Sequence, residues 1–328
     1  MTDSSSTTGP DTPSEAPDPR RWLALGVIGI AQLMIVLDAS IVNIALPSAQ
    51  ADLNISDADR QWVVTAYTLA FGGLLLLGGR IADYTGRKRT FIIGLIGFAG
   101  ASALGGVAST AGLLYAARGL QGAFAALMAP AALSLISVTF TVPKERAAAF
   151  SVFGAVSGGG AAIGLILGGT LTEYASWRWC LGVNVPIALA TAAAALRVVH
   201  ESKAHGNTKY DVPGAVMASL GLVSLVYGFT EAAKLKDPGS GSTEVQGWTD
   251  ASTITFLAIA VVLLVAFVVW EKRTSTPLLP LWVALDRNRG GSYLVFLFAG
   301  AGLFAMFLFL TFYFQITMEY SALKAGFA

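Results

Sequence analysis

Gly79-Arg80-Ile81-Ala82-Asp83-Tyr84-Thr85-Gly86-Arg87-Lys88-Arg89 stands between two long apolar stretches of the chain. A basic hairpin punctuated by glycines and flanked by such stretches belongs between membrane-spanning helices, because roughly 20 apolar residues are needed to cross the hydrocarbon. The windows that reach this length are 22–46, 61–79, 90–108, 112–138, 147–172, 179–198, 212–230, 252–270 and 292–316. They predict nine spans and an all-α, polytopic membrane protein.

Composition agrees. Hydrophobic residues make up 55% of the chain and charged residues 12%, whereas soluble domains carry about a quarter charged residues. A net charge of +1 gives no concentrated basic face for a nucleic-acid partner. Cys180 is the single cysteine, and His200 and His205 are the two histidines. Neither an intramolecular disulfide nor a Cys/His zinc cluster can be built from that set. No nucleophile–base–acid arrangement or phosphate loop stands out, so an enzyme is not expected.

Charge sets the orientation. With the first residue inside, the inner segments collect fifteen of the basic residues: Arg20, Arg21, Arg80, Arg87, Lys88, Arg89, Lys144, Arg146, Arg197, Lys203, Lys209, Lys272, Arg273, Arg287 and Arg289. The outer side receives five, Arg60, Arg178, Lys234, Lys236 and Lys324, and Arg118 stays within a span. This is the positive-inside bias, which predicts a cytoplasmic N-terminus. Residues 1–19, rich in Ser, Thr, Pro and Asp, cannot bury enough surface to offset ordering entropy and read as a disordered cytoplasmic tail. The longer connections at 199–211, 231–250 and 271–291 divide the rest. We expect a six-helix unit over 20–200, a helix pair over 201–285, and the first helix of a further unit over 286–328. Tyr320 to Gly326 reads as an outer turn leading into another helix, so a truncated or partial protein is expected.

Asp38 and Arg118 are the charges that need an explanation, since each sits inside an apolar run where insertion costs about 2.5–3.5 kcal/mol. Counted from the helix ends, Asp38 lies roughly 13 Å below Pro47 and Arg118 roughly 10 Å below Ala111. The two are nearly level. A protonatable carboxylate beside a fixed guanidinium suits a proton relay, because the guanidinium holds the acid ionised and its withdrawal favours protonation. A permanent structural ion pair is the alternative. Gln32 and Asn43 share a face of the first helix, with Asp38 roughly 120–140° away. If that polar face lines a cavity, Asp38 faces a neighbouring helix.

In the hairpin, Gly79 and Gly86 permit close approach and a tight turn, and Asp83 is placed to cap the next segment and attract Arg87, Lys88 and Arg89. Gly154, Gly158, Gly164, Gly168 and Gly169 enrich the fifth span, with two four-residue steps that suit close helix packing and bending. Gln32, Asn43, Tyr67, Phe124, Met128 and Gln315 are candidates to line a cavity for amphipathic ligands; helix packing is the competing reading.

Several segments, in order and from end to end, resemble the major facilitator superfamily, and within it the fourteen-helix drug:proton antiporter branch of bacteria. Leu37-Asp38-Ala39-Ser40-Ile41-Val42-Asn43-Ile44-Ala45-Leu46-Pro47 looks like that branch's first-helix motif. Gly79 to Arg89 looks like motif A, and Arg118-Gly119-Leu120-Gln121-Gly122 like motif B. Trp177-Arg178-Trp179 with Asn184-Val185-Pro186 resembles the entry to helix 6. Asp211-Val212-Pro213-Gly214 resembles the start of helix 7, and Pro277-Leu278-Leu279-Pro280-Leu281 the approach to helix 9.

The resemblance implies a major facilitator-type six-helix bundle, two linker helices and the start of a second bundle. It implies proton coupling by Asp38, Arg118 and Gln121. Gly79, Asp83, Gly86, Arg87 and Lys88 would form a conformational latch, and the glycines of the fifth helix an antiporter motif. Tyr84 replaces the usual basic residue of motif A, and Leu165 the usual proline after glycine in the fifth helix. The expected function is export of amphipathic drugs or toxic organic compounds across a bacterial plasma membrane, driven by the proton gradient without a cofactor. The implied partners are a small, amphipathic or cationic substrate and the lipid bilayer; no nucleic acid and no obligatory protein partner are expected. The alternatives are a narrow exporter of a metabolite, siderophore or self-made antibiotic, and a non-transporting remnant.

Overall fold

The computed structural model describes residues 18–56, 59–204, 211–233, 245, 247–275, 277–278 and 281–327. The expected tail lies outside these residues apart from its last two, as do His205, Lys209, Lys234, Lys236 and Pro280.

The described chain is all-α: α1 (Arg21–Asp52), α2 (Trp62–Thr85), α3 (Arg87–Gly106), α4 (Ala111–Thr139), α5 (Pro143–Tyr174), α6 (Arg178–Gly182), α7 (Asn184–Val198), α8 (Val212–Ala232), α9 (Ala251–Arg273), α10 (Leu281–Leu285), α11 (Arg287–Phe312) and α12 (Ala322–Phe327). A π-helical turn, Tyr313–Thr317, extends α11. Nine helical segments among the described residues are long and apolar enough to cross a membrane, which makes this a multi-pass membrane protein.

Helix ends depart from the hydropathy windows for physical reasons. α1 continues through Pro47 to Asp52 because hydropathy marks the part of a helix that needs an apolar surround, and a single proline removes only one intrahelical bond. The sixth span stays helical through Val183 (φ −62°, ψ −26°), whose N–H donates to Trp179 O at 2.9 Å, between α6 and α7. Pro186 has no N–H for the carbonyl of Gly182, so the ladder of this span lacks one bond.

Local signals set the helix starts. Thr110 accepts from Leu113 N, Asp211 from Gly214 N, Asp250 from Ser252 N and Asp286 from Arg289 N, the side-chain caps that satisfy amides left open by the first turn. α1 packs on α5, α2 on α4, α3 on α4 and α7, and α8 on α9 and α2. One core cluster joins α1, α3, α4 and α7 around Phe91, Leu95, Phe98 and Met128. A second gathers Ile41, Leu46, Leu114, Trp177 and Cys180 where α1, α4 and α6 meet.

Glycine decides how closely one of these pairs, α2 and α4, approaches. A Cβ on Gly122 would strike the backbone carbonyl of Tyr67, and one on Gly78 that of Ala126. α2 and α4 therefore each contribute a glycine to a backbone-to-backbone contact, the small-residue device of membrane helix pairs.

Candidate functional site: a buried ion pair and a basic hairpin

α1 and α4 bring Asp38 and Arg118 into direct contact, Arg118 Nη1 donating to Asp38 Oδ2 at 2.5 Å. The side chains are 0% and 1% exposed. Burying two charges is costly unless their remaining donors and acceptors are met, and here Nε and Nη1 of Arg118 and both oxygens of Asp38 are paired. Arg118 Nε donates to the Val63 carbonyl at 3.0 Å, and its guanidinium lies 4.5 Å from the centre of the Tyr67 ring. Asp38 Oδ1 accepts from Gln121 Nε2 at 2.9 Å and from Asn184 Nδ2 at 2.8 Å. Gln121 also accepts from Arg118 at 3.0 Å and donates to Ser102 Oγ at 2.8 Å. Five helices, α1, α2, α3, α4 and α7, thus meet in one polar network.

Three members were not anticipated as site residues: Asn184, Ser102 and, in this role, Tyr67. Asn184 carried a readable signal, an amide about six residues inside the sixth span and hence at roughly the depth of Arg118. Ser102 carried none, since a lone serine in a membrane helix usually bonds its own backbone.

The cavity assignments need correction. Tyr67 is buried beneath Arg118 rather than open to a cavity. Met128 is 0% exposed, and a Cβ on Gly94 would strike its side chain. Phe124 lies where a Cβ on Gly97 would fall. These two side chains fill the α3–α4 seam because glycines opposite them leave room, and residue type alone does not reveal which way a side chain points. Gln32 Nε2 donates to Ser157 Oγ at 3.0 Å, which ties it to α5. Asn43 is buried with its Oδ1 unpartnered, and Gln315 sits in the π turn with a buried, unpartnered Nε2. A recess of about 480 Å³ lies between the end of α1 and Ile316, lined by Leu46, Gln50, Asn54 and Arg60; none of the six candidates lines it.

The fifth-span glycines also divide. A Cβ on Gly160 would meet Leu33 and Val36 at 3.1 Å, one on Gly164 would strike Ser40 Oγ, and one on Gly168 would lie 2.9 Å from Ile41. The packing ladder against α1 is therefore 160–164–168. Gly154 and Gly158 face open space, so they belong to no close contact, and Gly169 is buried beside the ladder.

At the basic end, Gly86 turns the chain with φ +119°, a conformation that disfavours other residues. Asp83 does not cap α3. It accepts from Arg87 Nε and Nη2 at 3.1 and 2.9 Å, while Glu201 accepts from the amides of Lys88 and Arg89, each at 3.1 Å. The turn at Gly86 brings Arg87 of α3 back to Asp83 of α2, and the carboxylate of Glu201 suits the positive end of α3. Arg87 N donates to Ser202 O, Ala204 N to Asp83 O, and Lys88 Nζ to Leu196 O. The chain after α7 is strapped onto the hairpin. A Cβ on Gly79 would lie 3.4 Å from Pro130, and Arg80 donates to the carbonyls of Pro277 and Leu278.

At the other end Arg178 and Trp177 both donate to Asp52, at 2.5 and 3.1 Å, and Arg178 reaches the Ala108 carbonyl at 3.0 Å. The bundle is pinned at both rims, with the ion pair between them.

The chain is 52% identical over 314 residues to the puromycin resistance protein pur8 of Streptomyces alboniger, covering 96% of this chain and 60% of that protein. It is 40% identical over 306 residues to the cephamycin export protein CmcT of Amycolatopsis lactamdurans, covering 92% and 61%. The chain thus spans about 60% of the length of these curated relatives. Its fold is similar to the structure of the POT family transporter PepTSo, with a TM-score of 0.52 at 17% identity over 75% of this chain and 52% of that one. The sequence model of the Major Facilitator Superfamily matches residues 28–328, and the chain belongs to that superfamily.

Proposed function

We propose that the chain works within a proton-coupled secondary transporter that exports amphipathic organic compounds, antibiotics among them, from a bacterial cell. The observation that carries the reading is the buried Asp38–Arg118 pair. In a membrane interior an ionisable pair is retained for function by default, and this one has a titratable member. Relatives named for antibiotic resistance and export supply the direction and the substrate class.

In this reading the ionised carboxylate is held by Arg118, Gln121 and Asn184. A proton arriving from outside neutralises it, releases the guanidinium, and shifts the balance between inward- and outward-open states. Two helical bundles rock about a central site, with the N-terminus in the cytoplasm and the Gly79–Lys88 hairpin as an inner latch. Residues 20–200 are one bundle, 201–285 a linking pair, and 286–328 the first helix of the second.

The test is Asp38→Asn, which keeps the size and removes the titrating group. Expressed from the full reading frame in a drug-sensitive bacterium, the variant should lose proton-dependent efflux; intact proton-dependent efflux at wild-type surface levels sinks the reading. Each relative named above takes its name from one compound, which supports a narrow substrate range as the second reading. Protection against a single antibiotic, with none against unrelated toxic cations, decides for it.

A further inference from the structure

Asn184 opens α7, two residues before Pro186 in the sixth span, and is 1% exposed. Its Nδ2 stands 2.8 Å from Asp38 Oδ1. Among the described residues Asp38 has three side-chain donors, and the other two, Arg118 and Gln121, both come from α4. We propose that Asn184 is a positioning residue for Asp38, through which the sixth span senses whether that carboxyl group carries a proton. The proposal rests on Asp38 being the proton carrier named above.

The three donors are not equivalent. An arginine side chain has no acceptor to offer a protonated acid. Gln121 is held at both ends, its oxygen by Arg118 and its nitrogen by Ser102 as well as Asp38. An asparagine amide carries a donor and an acceptor on one rotatable group. When Asp38 gains its proton, the acid changes from acceptor to donor at one oxygen, and Asn184 turns over to accept. That reversal occurs beside the one bond the helix lacks, the bond that Pro186 cannot give to the Gly182 carbonyl, so one fewer backbone hydrogen bond resists a local change. The titratable or charged groups around Asp38 are Arg118 from α4, Tyr67 from α2 and Cys180 from α6. At this level α5 presents Gly164 to α1, beside Ser40 and Leu37, and adds no charge there.

The experiment is the pH dependence of carbodiimide modification at Asp38, followed by mass spectrometry of the peptide that contains it, in proteoliposomes of the chain. Asp38→Asn sets the background. Asn184→Leu keeps the volume and removes the donor, and the modification midpoint should rise by about one pH unit, the equivalent of one hydrogen bond to a charged group. Asn184→Asp places a second carboxylate there and should raise it further. Asn184→Ser, which retains an O–H, should fall between wild type and Asn184→Leu, and it carries the measurement if the leucine variant does not fold. Unchanged midpoints in the folded variants overturn the proposal, because a purely space-filling side chain would leave them unmoved. A shifted midpoint with proton-dependent efflux intact in Asp38→Asn upholds the positioning role while removing proton coupling from Asp38.

Discussion

Two of the acid–arginine pairs among the described residues have the same chemistry in opposite settings. Asp38 and Arg118 join different helices, are fully buried and stand 2.5 Å apart. Asp83 and Arg87 lie four residues apart on the hairpin at 2.9 Å, with side chains 30% and 15% exposed. The first pair must have every polar atom met because water cannot help, and five helices contribute to meeting them. The second has water at hand and is one strand of a wider strap that includes Glu201 and Ser202. Equal formal charge therefore means different things: at the buried site each partner is a condition of the other's presence, and at the hairpin each is replaceable.

The largest effect should come from Arg118→Leu, which strands a carboxylate and should cost about 3–5 kcal/mol in unfolding free energy. Thermal unfolding in detergent measures it, and the double variant Asp38→Leu with Arg118→Leu should recover most of the loss. If the double variant is no better than the single one, the pair is not the source of the penalty.

Next is Gly164→Val, which drives a side chain into Ser40 and should lower stability by about 1–3 kcal/mol. Gly158→Val, on the open face of the same helix, should stay within about 0.5 kcal/mol apart from its gain in helix propensity. Equal losses at the two positions would remove the distinction between the 160–164–168 ladder and its neighbours.

Glu201→Ala exposes two first-turn amides of α3 and should cost about 0.5–1 kcal/mol, the range of a lost cap. Arg87→Ala should cost less than about 1 kcal/mol, and the difference should shrink in high salt, where exposed charges are screened. Salt titration of both arginine variants gives the sharpest contrast, because the Arg118 penalty should hardly respond.

Legibility followed the same division. The spans were readable because hydropathy sums over about 20 residues, and an error at any one position is diluted. The Asp38–Arg118 contact was readable from depth, since two misplaced charges at one level in oil have few other partners. What failed depended on direction about a helix axis. Phe124 and Met128 read as cavity residues but fill the α3–α4 seam, and Gly160 was passed over for Gly154 and Gly158, which lie on the wrong face. Asp83 was expected to cap α3, yet the cap comes from Glu201, a residue more than a hundred positions away in the sequence. Local spacing contains no information about a contact that the chain makes only after completing six spans.

That distant cap has a consequence for assembly. The first turn of α3 is finished by a carboxylate that follows α7, so the hairpin rim closes as a loop whose last stitch arrives after the rest of the bundle has been made. Until Glu201 emerges, the hairpin has its glycine turn and its own ion pair but an open helix end. The rim can therefore be inspected for completion: a bundle with a misplaced sixth span would be left with an unfastened, protease-accessible hairpin.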